Sequence, residues 1–188
     1  MTASLPVGSA LPVGSALRSA AAELVALADA VDENELAALR DAVLAARRVY
    51  FTGAGRSGLM ARAVAMRMMH IGLASFAVGE IATPGIAAGD LLICFSARGS
   101  GSITAQARTA REQDAGVAVV TTASGTPLTD LAGWTVVLPV RNGVATEQHA
   151  GSLFEQGCLV VGDVLCRAVQ TALGVPTAEL DRRHANLS

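Results

Sequence analysis

The chain has 188 residues, enough for one domain with a sizeable core and little room for a second. Hydrophobic residues make up 52 %, aromatics 3 % and charged residues 16 %, with a net charge of -2, so the chain is too apolar for disorder and carries neither the basic footprint nor the stacking platform of a nucleic-acid binder. All 14 basic residues are Arg, and the absence of Lys excludes Schiff-base lysine chemistry and a standard Walker P-loop.

Residues 5–16 repeat LPVGSA twice, with Pro and Gly in each copy, and read as a frayed leader ahead of a single domain over 17–188. The apolar start lacks a positive n-region, so no signal peptide is expected, and no apolar run reaches the ~18 residues of a membrane span. A helical period begins at Ser15 and places Leu17, Ala21, Leu24, Ala28 and Val31 on one face. Asp32 to Glu35 reads as a capping box that opens a second helix, with Leu36, Leu39, Val43 and Leu44 inward.

Val49 to Thr52 is a short strand, residues 53–58 (GAGRSG) form a glycine-rich turn, and a helix follows from Ser57 to Ile71. A strand at 75–79 leads into an irregular crossover over 80–89 that contains Pro84. Asp90 to Ser96 is a buried strand, and it ends in a second small-residue loop over 96–102 (SARGSGS). A helix from Ile103 to Asp114, a strand at 117–121 and a strand at 134–140 come next. A long helix runs over 152–173 with Leu153, Cys158, Val161, Leu165, Val169 and Leu173 as its stripe; Pro176 stops it ahead of the tail RRHANLS. Alternating strands and helices, with continuously apolar strands, predict a parallel sheet covered on both faces. Ligands of such sheets bind beyond the carboxyl ends of the strands, where both glycine-rich loops lie.

The first loop matches GxGxxG, and Glu80 ends the next strand where an acid would meet a ribose hydroxyl in a dinucleotide site. The same turn is equally a tight connection with Ser57 as N-cap, or an anion cradle. The second loop favours a small phosphorylated ligand over a dinucleotide: Ser96, Ser100 and Ser102, with Gly99 and Gly101 between them, supply hydroxyls and open N–H groups without Lys or a metal. Arg98 is either an added guanidinium or a solvated loop residue, and the loop itself is otherwise a flexible connector. Glu155 has two readings: the far half of a Ser152-to-Glu155 capping box, or a general base at the head of the long helix. His184 by itself reads as a solvated tail residue, and His70 as a packed core residue. Cys94, Cys158 and Cys166 read as reduced core thiols of a cytoplasmic protein, and no HExxH or Cys/His cluster points to a metal.

Taken together, residues 49–73, 78–92, 150–156 (AGSLFEQ) and 183–187 (RHANL) resemble the sugar isomerase (SIS) domain family and, within it, the 6-phospho-3-hexuloisomerases; the Thr83-Pro84 crossover, the FEQ helix head and the RHANL ending are the specific features. The resemblance implies an α/β three-layer sandwich with a five-stranded parallel, flavodoxin-like sheet behind two N-terminal helices. It implies interconversion of D-arabino-3-hexulose 6-phosphate and fructose 6-phosphate in the ribulose monophosphate route of formaldehyde fixation. It also implies a homotetramer with shared active sites, a sugar-phosphate ligand, no cofactor and no metal. Phosphate contacts fall on Gly55, Arg56 and Ser57 and on Ser96, Ala97, Arg98, Gly99, Ser100, Gly101 and Ser102. Glu155 falls at the family's base, and His184 where a neighbouring subunit contributes.

The second loop departs from the family's Ser-Gly-Ser-Gly-x-Thr-Ser pattern. Ala97, Arg98, Ser100 and Gly101 replace Gly, Ser, the variable residue and Thr, which leaves Arg98 or Ser100 to substitute for two hydroxyls. Moving a carbonyl from C3 to C2 through an enediol needs one carboxylate to shuttle a proton between carbons, a His for the oxygens, and remote phosphate contacts for register. A non-catalytic sugar-phosphate-binding module and an NAD(P)-dependent oxidoreductase remain the other readings.

Overall fold

Short apolar runs give five strands, of which the three central ones are buried on both faces and the two edge strands only in part. The computed structural model describes residues 12–186. In chain order the elements are α1 (Val13–Asp29), α2 (Glu33–Ala45), β1 (Val49–Gly53), α3 (Gly55–Ile71), β2 (Ser75–Ala77), β3 (Leu91–Phe95), α4 (Gly101–Glu112), β4 (Gly116–Thr121), a 3-10 turn at Thr129–Leu131, β5 (Trp134–Val137), α5 (Ser152–Ala172) and α6 (Thr177–Arg182). The strand order is β2-β1-β3-β4-β5, and every pairing is parallel. The order reverses at β1, so the β1/β3 boundary is the topological switch point at which doubly wound sheets bind ligands.

The sheet divides the core in two. Phe51, Ile93, Phe95, Val120 and Val136 pack with α1, α2, α3 and α5 on one face. Tyr50, Leu92, Cys94, Val117 and Val119 pack with α4 on the other. The helical layer is tight: a Cβ at Gly162 of α5 would stand 2.2 Å from Val64 Cγ2 of α3, so only glycine fits that crossing. The three thiols are buried, and burial pushes Cys94 and Cys166 up to about 12. No helix among the described residues is long and apolar enough to cross a membrane.

Several boundaries differ from expectation for identifiable reasons. α1 begins at Val13 with Pro12 at its N-cap, so it takes in the end of the second LPVGSA copy; residues 5–11 of the repeat lie outside the described residues. Asp32 caps the Asn34 amide, but Glu35 does not close a capping box: its carboxylate accepts from the Val137 amide at the end of β5. β2 stops at Ala77, just ahead of Gly79 at φ +93°. β5 stops at Val137 with one further rung from the Leu138 amide, because Pro139 has no N–H to continue the ladder. Pro176 ends α5 as the sequence suggests, but it also stands at the N-cap of a further helix, α6, which carries Glu179–Arg182 and Glu179–Arg183 ion pairs.

One buried charge pins the sheet at its amino end. The fully buried Asp90 carboxylate accepts from Arg48 at 2.6 Å, from Arg47 at 3.1 Å and from the Ala87 amide at 2.9 Å, and Arg48 also donates to Gly85 O. The starts of β1 and β3 and the end of the crossover are thereby tied together. Burial pushes the Asp90 carboxyl up, but hydrogen bonds from Arg48, the Ala87 amide and Arg47 outweigh it and hold the group below the usual carboxylate range. Asp90→Ala is expected to cost about 3 kcal/mol in urea unfolding at pH 7, because it leaves Arg48 without its carboxylate. A depressed carboxyl contributes fully above its unfolded value of about 3.9 and loses that contribution as pH falls through its folded value. The stabilities of wild type and Asp90→Ala should therefore converge below about pH 4.

Candidate active site

Gly53, the last residue of β1, lies in register with Phe95, the last residue of β3, so the two glycine-rich loops leave the sheet side by side. The first loop is compact: a Cβ at Gly58 would stand 2.5 Å from Gly53 O. α3 starts at Gly55, two residues earlier than the sequence suggests, with Ala54 at the N-cap and no side-chain cap. Ser57 is thus inside the first turn and is not an N-cap. The leading amides of α3 lack intrahelical acceptors and form a positive helix end beside Gly55, Arg56 and Ser57. A cleft of about 200 Å³ opens there, lined by Thr52, Gly55, Leu59, Arg62 and Val78 among others. Thr52 donates its hydroxyl to Gln106 Oε1 at 2.6 Å, which ties the cleft wall to α4.

The second loop is held by its own groups. Ser96 is buried, and its hydroxyl accepts from the Ser100 amide at 3.1 Å, while the Thr121 and Thr122 hydroxyls both donate to Ala97 O. Ser96 still has a proton to donate. Gly99 sits at φ +65° with Leu128 Cβ 3.3 Å from the place of a side chain, so this turn requires glycine. The loop is therefore built and not a loose connector. Arg98, Ser100, Gly101 and Ser102 are exposed, and α4 opens at Gly101 with no side-chain cap. Two uncapped helix N-termini thus stand at adjacent strand ends, an arrangement that suits a phosphate.

Glu155 lies in the first turn of α5, but it does not cap it. The Ser152 amide bonds His149 O, the N-cap is Gly151, and the Glu155 carboxylate forms an ion pair with Arg56 Nε. Arg56 is 64 % exposed and Glu155 only 14 %, so the guanidinium faces solvent and the carboxylate lies inward. The capping-box reading fails because the side chain is drawn to a guanidinium 99 residues away in sequence. Burial, and the Glu155 charge one helical turn before it, push the Cys158 thiol up and keep it protonated.

The head of α5 is positioned by a network that local sequence does not reveal. Glu23 of α1 accepts from the Thr146 hydroxyl, the Glu147 amide and Gln148 Nε2, and Gln156 Nε2 donates to Gln148 Oε1 at 2.7 Å. The Glu147 amide and the Thr146 hydroxyl hold the Glu23 carboxyl below its usual range against the effect of burial. α1 therefore clamps the loop that delivers Glu155. The signal was out of reach because the partners are more than 120 residues apart.

His184 is elsewhere in the chain. Its ring stacks on His70 of the same chain, with centroids 5.0 Å apart and planes at 32°. His70 lies near the carboxyl end of α3 and Arg56 near its amino end, about 21 Å apart along the helix axis. One chain therefore brings Gly55, Arg56, Ser57, the 96–102 loop and Glu155 to one end of the molecule and leaves His184 at the other. Glu80 is exposed beyond β2.

The SIS domain family matches residues 43–154 of this chain. A protein of Mycobacterium gastri named 3-hexulose-6-phosphate isomerase is 39 % identical over 88 % of this chain and 86 % of its own. One of the same name from Bacillus subtilis is 35 % identical over 84 % of this chain and 89 % of its own. A crystal structure of a Methanococcus jannaschii protein, for which a 3-hexulose-6-phosphate isomerase function was inferred, is similar with a TM-score of 0.81 and 28 % identity, over 92 % of this chain and 98 % of that one. A site built on two phosphate-type loops and one carboxylate, on a sheet of order 2-1-3-4-5, accords with these likenesses: the chain belongs to the SIS domain family, among relatives that bear the name 3-hexulose-6-phosphate isomerase.

Proposed function

We propose that this chain is a sugar-phosphate isomerase that interconverts D-arabino-3-hexulose 6-phosphate and fructose 6-phosphate, the isomerising step of the ribulose monophosphate route. The observation that carries the reading is the Glu155 carboxylate, largely buried and held on Arg56 at the uncapped N-terminus of α3. The phosphate binds at the leading amides of α3 and α4, with Ser57, Ser96, Ser100 and Ser102 as hydroxyl partners and Arg98 as the cation that the family pattern lacks. That anchors the sugar away from its reacting carbons, so binding energy fixes register there.

Glu155 removes the proton from C2 of the 3-hexulose, and the electron pair forms the C2–C3 double bond of an enediolate as the C3 carbonyl takes the charge. Glu155 returns the proton to C3. The O2 hydroxyl proton is lost and the O3 oxygen regains one, so the carbonyl now stands at C2 and no atom is gained. His184 moves the oxygen-bound proton, and it arrives from a neighbouring subunit, since α3 separates it from Glu155 in its own chain. Exposed Leu59, Met66 and Met69 on α3 support close packing against further copies, in a homotetramer. The three buried, unpaired thiols support a cytoplasmic setting.

The test is to supply the 3-hexulose 6-phosphate and follow fructose 6-phosphate with a coupled dehydrogenase. Glu155→Gln should lower kcat by about 10²- to 10⁴-fold with little change in KM. Ser57→Ala and Ser96→Ala should mainly raise KM, each lost contact to the dianion being worth about 1.5–3 kcal/mol. Near-normal turnover by Glu155→Gln would remove Glu155 as the base.

Fructose 6-phosphate at a hundred times its dissociation constant should stabilise the protein by about 2.7 kcal/mol in a thermal unfolding assay. NAD and NADP should produce no shift. A shift with fructose 6-phosphate but no product formation would identify a binding module in place of an enzyme.

A further inference from the structure

The carboxyl end of α3 holds a second arrangement that the loops do not explain. His70 is 2 % exposed, and its Nδ1 is buried without a hydrogen-bond partner among the described residues. Leucine would fill the same space without leaving a buried polar atom unpaired, so an imidazole at this position calls for a reason. Its one aromatic neighbour of like kind is His184, stacked at 5.0 Å with planes inclined by 32°.

The segment that carries His184 is docked by two further features. Arg183 donates from Nη1 to His70 O at 3.1 Å and so satisfies one of the last carbonyls of α3. The same guanidinium occupies the space that a side chain at Gly72 would need, since a Cβ there would stand 2.8 Å from Nη1. The result is a socket: Arg183 fixes the backbone of the tail, and His70 lies under the ring of its neighbour. His184 has one face on His70 and remains exposed. Burial, together with the His184 and Arg67 charges, holds the His70 imidazole below its ordinary range.

We infer that His70 is a positioning residue for the isomerisation: its buried ring is the platform that sets the His184 imidazole for proton transfer in the site of a neighbouring subunit. This rests on the reading of His184 given under Proposed function. A ring held on one face loses side-chain freedom before the subunits meet, so less ordering is left to the reacting complex.

A double-mutant cycle tests it, with kcat and KM measured in the direction that forms fructose 6-phosphate. His70→Leu should lower kcat by about ten- to a hundredfold and change KM less than about twofold. His70→Phe, which keeps a flat ring, should recover most of the lost kcat. In a His184→Ala background, His70→Leu should have almost no further effect on kcat. In the NMR spectrum the His184 ring protons, shifted by the facing imidazole in wild type, should move toward their free-residue positions in His70→Leu and less so in His70→Phe. Should His70→Leu fail to fold, the His70→Phe arm of the same cycle and spectrum carries the test, with a small loss expected in wild type and none in His184→Ala. An equal loss of kcat in both backgrounds, or a loss in KM alone, would make His70 a structural residue and overturn the proposal. If His184→Ala itself retained full kcat, the reading of His184 would fail, and this inference with it; that result is separate from an intact His184 effect with no role for His70.

Discussion

The backbone of α3 meets the sheet at Gly58, its Val64 side chain meets the backbone of α5 at Gly162, and the placement of the functional groups follows from these two contacts. At the first, a Cβ would stand 2.5 Å from Gly53 O; at the second, a Cβ on Gly162 would stand 2.2 Å from Val64. Glycine on one side of each contact lets the helix lie closer than any larger residue would allow. A helix so confined brings its leading amides to the carboxyl end of β1, where the switch point of the sheet opens. The same helix ends at Gly72 and offers its last carbonyls, and the buried His70, to the tail. One helix therefore carries the proposed phosphate cradle at one end and the imidazole socket at the other.

Electrostatics divides the molecule along the strand direction. At the amino end, Asp90 is fully buried and satisfied by two guanidinium groups and an amide, an arrangement suited to holding strands in place. At the carboxyl end, Glu155 faces a single Arg56 that is 64 % exposed. A pair of that kind contributes about 0–1 kcal/mol, so it orients the carboxylate without locking it. The buried network stabilises, and the pair with its solvent-facing guanidinium leaves room for chemistry. Support for Glu155 comes from behind, through Glu23, Gln148 and Gln156, so the N-terminal helix belongs to the site although it contributes nothing to the cleft.

Much of this was legible in the sequence where chemistry is local. The strands read at 49–52 and 90–96 are built on the apolar runs 49–51 and 91–95, and the glycine turns after them mark the carboxyl ends of a parallel sheet. The fold follows from that alternation. Local rules failed where a side chain had a distant and better partner: both capping boxes, at Asp32–Glu35 and Ser152–Glu155, gave way to Val137 and Arg56. α6 was missed because Pro176 reads as a stop, although it serves equally as the cap of the next helix. The stacking of His184 on His70 joins residues 114 apart and leaves no periodic trace, so only tertiary structure brings it to view.

The central claim is that a working site needs Glu155 from one chain and His184 from another, because α3 holds them at opposite ends of each. The most direct measurement is to co-express Glu155→Gln with His184→Ala, each nearly inactive alone, and to assay the purified mixed oligomers for fructose 6-phosphate formation. Sites that take Glu155 from the second variant and His184 from the first are complete, so a definite fraction of wild-type activity should return. Mixed oligomers that form and yet remain as inactive as either parent would show that the two residues do not meet across an interface, and would contradict the account.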